Sequence, residues 1–204
     1  MTGVDVDHLL IATSDLDAAA AAAERLGLPV TSGGRHPGWG TANRIVPLGG
    51  AYLELVAVVD AEAAATSAFG CWVAAAPPGP LGWAVRPDDL DAVARRLGLH
   101  VQPGCRAAPD GRTLRWRTGG VEHAAMEPCL PFFIAWAPGT PLPGAVGAGI
   151  EVERIDLRGD PGRLEAWLDG ERLPVSVRPG PAAIERIVLR AAADPITIDA
   201  AAFV

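Results

Sequence analysis

The stretch that decides the fold is "DHLLIATSDLDAAAAAAERLGLPV", Asp7 to Val30, because it returns as "LGWAVRPDDLDAVARRLGLHV", Leu81 to Val101. Each copy runs from an apolar strand through DLD into an alanine-rich helix with a glycine stop. Ser14 is a candidate N-cap for the first helix with Asp17 three positions on, and Gly27 suits its end; Asp88 and Gly98 take those parts in the second. Strand-like segments separated by Gly and Pro follow each helix: around Val30, "NRIVPL" and "AYLELVAV" in the first copy, and "HVQPG", "TLRWRT" and "PFFIAW" in the second. Each copy therefore reads βαβββ. A third, partial copy with a βαββ-like order is expected from "IEVERIDLRG" through a short helix near "PGRLEAWLDG" to "LPVSV" and "AIERIVLRA".

The predicted organisation is a first module over 1–60, a linker over 61–80, a second module over 81–137, a linker over 138–149 and a C-terminal extension over 150–204. The first linker is alanine-rich and leaves room for a helix before its prolines. A βαβββ unit covers one sheet face with its helix and leaves the other bare, so two units pair most simply around a cleft. The expected class is α+β: two paired modules forming a curved sheet around a cleft, where a small-molecule site belongs. The extension is expected either to cap that cleft or to form a dimer edge, and a homodimer is a candidate assembly.

Composition narrows the partners. The chain has 204 residues, half of them hydrophobic, enough for a substantial core. Its net charge is −7 and its 17 cationic residues, all arginine, are scattered, which argues against nucleic acid. The opening "MTGVDVDHLL" lacks the form of a signal peptide, and apolar runs are interrupted before they could span a bilayer, so a cytoplasmic protein without membrane association is expected. Cys71, Cys105 and Cys129 are odd in number and form no CxxC, and read as buried thiols.

Strand alternation puts Val6, His8 and Leu10 on one face of the first strand, and Tyr52, Glu54 and Val56 on one face of the fourth. A glutamate central in an apolar strand either faces water or, if buried, must be paired, protonated or bound to a metal. Spacing leaves both open: a solvated Glu54 with a core His8, or a pocket. Between the second and third strands, "GGRHPGWGTAN" carries Arg35, His36, Trp39, Thr41 and Asn43. They can form a pocket rim in which Trp39 stacks on a ligand and His36 or Asn43 bonds its oxygens, or merely a turn with solvated side chains.

The paired modules, "DHLLIATSDLDAA" and above all "GGRHPGWGTANRIVPLGGAYLELVAV" resemble the glyoxalase-like domain family of the vicinal oxygen chelate superfamily, over about residues 4 to 140. The resemblance implies a cleft in which a divalent metal (Mn, Fe, Ni or Zn) is held by residues on the first and fourth strands of each module. By position His8 and Glu54 match the first-module pair. In the second module Gly82 falls opposite His8 and Ala135 opposite Glu54, neither able to bind a metal, and His36 and His123 are candidates for a displaced ligand. The resemblance implies a lyase, isomerase or dioxygenase acting on a small oxygenated molecule, with Glu54 and His36 as acid–base groups and Arg35, Trp39, Thr41, Asn43 and Tyr52 around the substrate. The alternative it implies is a metal-free binding protein that sequesters a drug or metabolite.

Overall fold

A computed structural model describes residues 3–108, 111–145, 149–192 and 194–203. The first module comprises β1 (Val4–Ala12), α1 (Leu16–Arg25), β2 (Thr31–His36), a 3-10 turn (Pro37–Trp39), β3 (Thr41–Pro47) and β4 (Tyr52–Val58). Two short helices follow in the linker, α2 (Ala61–Ala64) and α3 (Ala68–Ala75). The second module comprises β5 (Gly79–Pro87), α4 (Leu90–Leu97), β6 (Val101–Ala107), β7 (Thr113–Gly119), an added helix α5 (Val121–Met126) and β8 (Phe132–Trp136).

The module helices start one residue later than expected. Asp15, in extended conformation directly before Leu16, accepts from the Asp17 and Ala18 amides; Asp89 does the same for the Ala92 amide. Ser14 and Asp88 lie one residue outside, too early to reach those orphan donors. Gly98 ends α4 with φ 68°, as expected of a C-terminal glycine. On α1 the buried residues are Ala19, Ala22 and Ala23, one face of small side chains that lets the helix lie close on the sheet.

The two modules share one eight-stranded sheet in the order β2-β3-β4-β1-β5-β8-β7-β6. Within each module the first strand pairs in parallel with the fourth, and the antiparallel β1–β5 pair joins the modules at the centre. The sheet curls until its edge strands β2 and β6 approach each other. Alternation then sorts the side chains. Leu9, Ile11, Leu53, Leu55, Trp83, Val85 and Phe133 face the convex side, while Leu10, Val56, Ala84, Phe132 and Ile134 face the concave side with Phe69, Trp72 and Val73 of α3. The linker helix thus closes one end of the cleft.

The C-terminal segment forms β9 (Glu151–Gly159), α6 (Pro161–Trp167), β10 (Val175–Pro179), β11 (Ala183–Arg190) and β12 (Ile196–Ile198). Its elements fall where expected, with β12 added, but it is not a third module. Its sheet runs β10-β9-β11-β12, and the strand after α6 pairs directly and in parallel with the strand before it. In the two modules the strand after the helix lies at the far edge. Nor does this segment cap the cleft: Ile155, Leu157, Ile187 and Leu189 join the convex core, burying a face the module helices leave partly uncovered. Among the cysteines only Cys129 is buried; Cys71 lies on the solvent side of helix α3, whose other face buries Phe69, Trp72 and Val73, and Cys105 points outward from the edge strand β6, opposite to Arg106. No helix among the described residues is long and apolar enough to cross a membrane.

Candidate functional site

A small cavity of about 20 Å³ lies inside the curled sheet, lined by His8, His36, Asn43, Tyr52, Glu54 and Arg106 together with a shell of aromatic rings. That is room for about one water molecule.

The polar groups form a chain. β1 carries a register shift between Val6 and His8 where it pairs with β5, and this bulge turns Asp7 inward beside its neighbour, against simple alternation. Asp7 is 1 % exposed. Its Oδ1 lies 2.7 Å from His8 Nδ1, and its Oδ2 accepts from Arg86 Nη1 at 2.6 Å and Trp136 Nε1 at 3.0 Å. Burial alone would raise the Asp7 pKa, but the hydrogen bond and charge of His8, the Trp136 N–H and the Arg86 charge outweigh it and hold the carboxyl below its ordinary range. Ionised Asp7 accepts only, so His8 carries its proton on Nδ1 and presents Nε2 to the cavity.

His8 Nε2 stands 3.5 Å from Glu54 Oε2. The other carboxylate oxygen, Oε1, accepts from Asn43 Nδ2 at 2.7 Å, and the Asn43 amide is fixed in turn because its Oδ1 accepts from the Gly34 amide at 2.8 Å. Asn43 Nδ2 also lies 3.3 Å from His36 Nε2, and His36 Nδ1 lies 2.9 Å from Thr41 Oγ1. An amide nitrogen only donates, so His36 Nε2 accepts and its Nδ1–H donates to Thr41. Burial pushes the His36 pKa below its ordinary value of 6.5, against the opposing pull of Glu54. Tyr52 stacks on His8 with ring centroids 4.8 Å apart, and its phenol is pushed well above its ordinary pKa by burial. It serves as a neutral wall.

The glycines of the opening motif are explained by close approach. A Cβ on Gly33 would lie 2.1 Å from Asn43 Oδ1, and one on Gly34 2.4 Å from the Ala107 carbonyl. Both backbones must pass where a side chain would block the strand edges.

Seven of the expected residues converge: His8, His36, Trp39, Thr41, Asn43, Tyr52 and Glu54. Arg35 does not. It is exposed on the opposite face of β2, beside a surface groove that also carries Asp17 and Arg44, because alternation that buries His36 turns its neighbour out. His123 sits on α5 against the Trp167 ring, 5.1 Å between centroids, away from the cavity. Ala135 packs against the convex core, and the cleft residues of β8 are Phe132 and Ile134, both apolar. Asp7 and Arg106 were not among the expected residues. Asp7 is hidden by the bulge, whereas Arg106, a charge in an alternating strand, has the same kind of signal as Glu54.

The metal-capable groups of the cavity are His8, Glu54 and His36, whose Nε2 lies 3.9 Å from Glu54 Oε1 but already accepts from Asn43. All three come from the first module, and they fall short of a divalent metal's usual ligand set. His8 Nε2 and Glu54 Oε2 are the first-module pair, but in the second module a Cβ on Gly82 would lie 2.2 Å from the Trp72 ring, so an indole fills that quarter. Ile134 lines the facing quarter, and the Arg106 guanidinium adds positive charge to the cavity wall. Among the described residues no group of three or more His, Cys, Asp or Glu converges for a metal ion.

The His36 shift carries a stability prediction. A histidine whose folded pKa is depressed contributes its stability in full above 6.5 and loses it as pH falls from 6.5 toward the folded value. The Tm is expected to drop between pH 7.5 and pH 5, and to drop less in His36→Gln. Parallel Tm curves for the two proteins would refute it.

A curved sheet of two βαβββ modules around a buried polar cavity defines a protein of the vicinal oxygen chelate fold. The chain belongs to the glyoxalase-like domain family, which matches residues 6–171. Among solved structures it is similar to a hypothetical protein from Staphylococcus aureus, at 14 % identity and TM-score 0.77, covering 94 % of this chain and 92 % of that one. It is also similar to methylmalonyl-CoA epimerase from Mycobacterium tuberculosis, at 23 % identity and TM-score 0.46, covering 66 % of this chain and 88 % of that one. A search of curated proteins found no match.

Proposed function

We propose that the protein is an acid–base enzyme, an isomerase or lyase that moves a proton next to the carbonyl of a small oxygenated molecule without a metal. The observation that carries this reading is the Asp7–His8–Glu54 array: an imidazole aimed by a buried carboxylate, its Nε2 3.5 Å from a second carboxylate that Asn43 holds in place. His8 Nε2 and Glu54 Oε2, 3.5 Å apart, act as a pair once they have taken up one proton, carried on either atom. One group removes a proton from carbon while the other protonates the carbonyl oxygen, and the reverse transfers deliver the product. The aromatic shell excludes water, which strengthens each transfer.

The test is deuterium incorporation next to the carbonyl of hydroxyacetone, pyruvate and 2-oxobutyrate in D2O, followed by proton NMR. Acceleration over buffer is expected, with losses of about 10²–10⁴-fold in His8→Ala and in Glu54→Gln. No acceleration with any of the three, or acceleration undiminished in both variants, sinks the proposal. So does near-stoichiometric metal in protein purified without chelator, if His8→Ala and Glu54→Ala lose it.

A further inference from the structure

Arg106 comes from β6 in the second module and reaches the cavity across the curled sheet. It is 5 % exposed, and its Nη1 is buried with no hydrogen-bond partner among the described residues. A buried guanidinium nitrogen left without an acceptor is costly, and structures that bury one ordinarily supply a carboxylate. Glu54, in the same cavity, makes no ion pair with it among the described residues: its Oε1 accepts from Asn43, and its Oε2 lies 3.5 Å from His8 Nε2. The backbone makes way for this side chain: a Cβ on Gly34 would lie 3.1 Å from Arg106 Nη1.

We infer that Arg106 is the seat of a carboxylate on the substrate, so that the substrate is a small oxo acid rather than a neutral carbonyl compound. This rests on the proton-transfer reading for the carbonyl part alone; the anion seat stands on Arg106 itself. A planar guanidinium takes a carboxylate through two parallel hydrogen bonds, fixing the rest of the molecule. His8, Glu54 and Arg106 all line one cavity, so a molecule anchored by its carboxylate at Arg106 offers its adjacent carbons to the His8–Glu54 pair. The route in is on the same side. A groove of about 290 Å³ bordered by Gly104, Cys105 and Arg115 shares His36 and Trp39 with the cavity. Trp39 therefore borders both groove and cavity, and a few-carbon acid reaches Arg106 only if this side chain moves aside.

The experiment titrates wild type, Arg106→Met and Arg106→Lys with pyruvate and with uncharged hydroxyacetone, read by tryptophan fluorescence, since Trp39, Trp116 and Trp136 line the cavity. Wild type is expected to bind pyruvate about tenfold or more tightly than hydroxyacetone, with that preference lost in Arg106→Met and partly kept in Arg106→Lys. Equal affinity for the two compounds in wild type, or a pyruvate preference that survives Arg106→Met, overturns the inference. If Arg106→Met does not fold, the wild-type comparison and Arg106→Lys decide, the latter by a weakened preference. The two proposals fail separately. Arg106-dependent pyruvate binding without deuterium exchange sinks proton transfer and keeps the anion seat, while His8-dependent exchange into hydroxyacetone without a pyruvate preference does the reverse.

Discussion

Asp7→Asn is expected to lower deuterium exchange by about 10³–10⁴-fold, the scale on which an imidazole held in the wrong tautomer loses its base function. The carboxylate accepts from His8 Nδ1 through one oxygen and from Arg86 and Trp136 through the other. An asparagine of the same shape must keep its carbonyl toward the two obligate donors, Arg86 and Trp136, and so turns its amide N–H₂ toward His8. His8 Nδ1 then accepts, its proton moves to Nε2, and the lone pair that should face the substrate is gone. The accompanying loss of stability is about 1–3 kcal/mol, since a charged hydrogen bond is replaced by a neutral one. Nitrogen-15 NMR of the imidazole reads the tautomer directly and separates this from mere loosening. An unchanged exchange rate with the tautomer reversed would remove His8 Nε2 from the chemistry.

Trp83→Ala is expected to destabilise the protein by about 3–5 kcal/mol, the range for truncating a fully buried Trp. Trp83 is 0 % exposed and lies in the core between the eight-stranded sheet and the C-terminal sheet, with its Nε1 donating to the Cys129 carbonyl at 3.3 Å. No apolar neighbour can fill a void of indole size without moving both layers. At about 2–4 °C per kcal/mol for a domain of this length, the Tm should fall by roughly 10 °C. A fall of only a degree or two would mean that the C-terminal sheet does not depend on this contact, contrary to the shared convex core.

Much of the architecture was legible in the chain. The repeated strand, DLD and alanine helix announced two βαβββ modules, since periods of two and 3.6 leave separate imprints on apolar residues. Alternation likewise brought His8, Tyr52 and Glu54 to one side, and it should have brought Arg106 with them. The C-terminal segment shows the limit of such reasoning: its strands and helix were readable, yet strand pairing depends on which neighbour offers free hydrogen-bonding groups in space. Hence the same βαβ order makes a module at one end of the chain and a direct parallel crossover at the other.

What the sequence by itself determined is the set of elements and the paired modules, because these follow from local periodicity and turn chemistry. It left Glu54 open between water and a pocket and read His36 and Asn43 as lying between strands, whereas they stand within β2 and β3. What only the tertiary structure decided is the chemistry of the cavity. A bulge turned Asp7 inward, the Trp72 ring filled the quarter beside Gly82, and closure of the sheet carried Arg106 across to the first module. Each depends on residues far apart in the chain meeting at one point, and the identity of a neighbour across a sheet leaves no periodic trace in the strand that receives it.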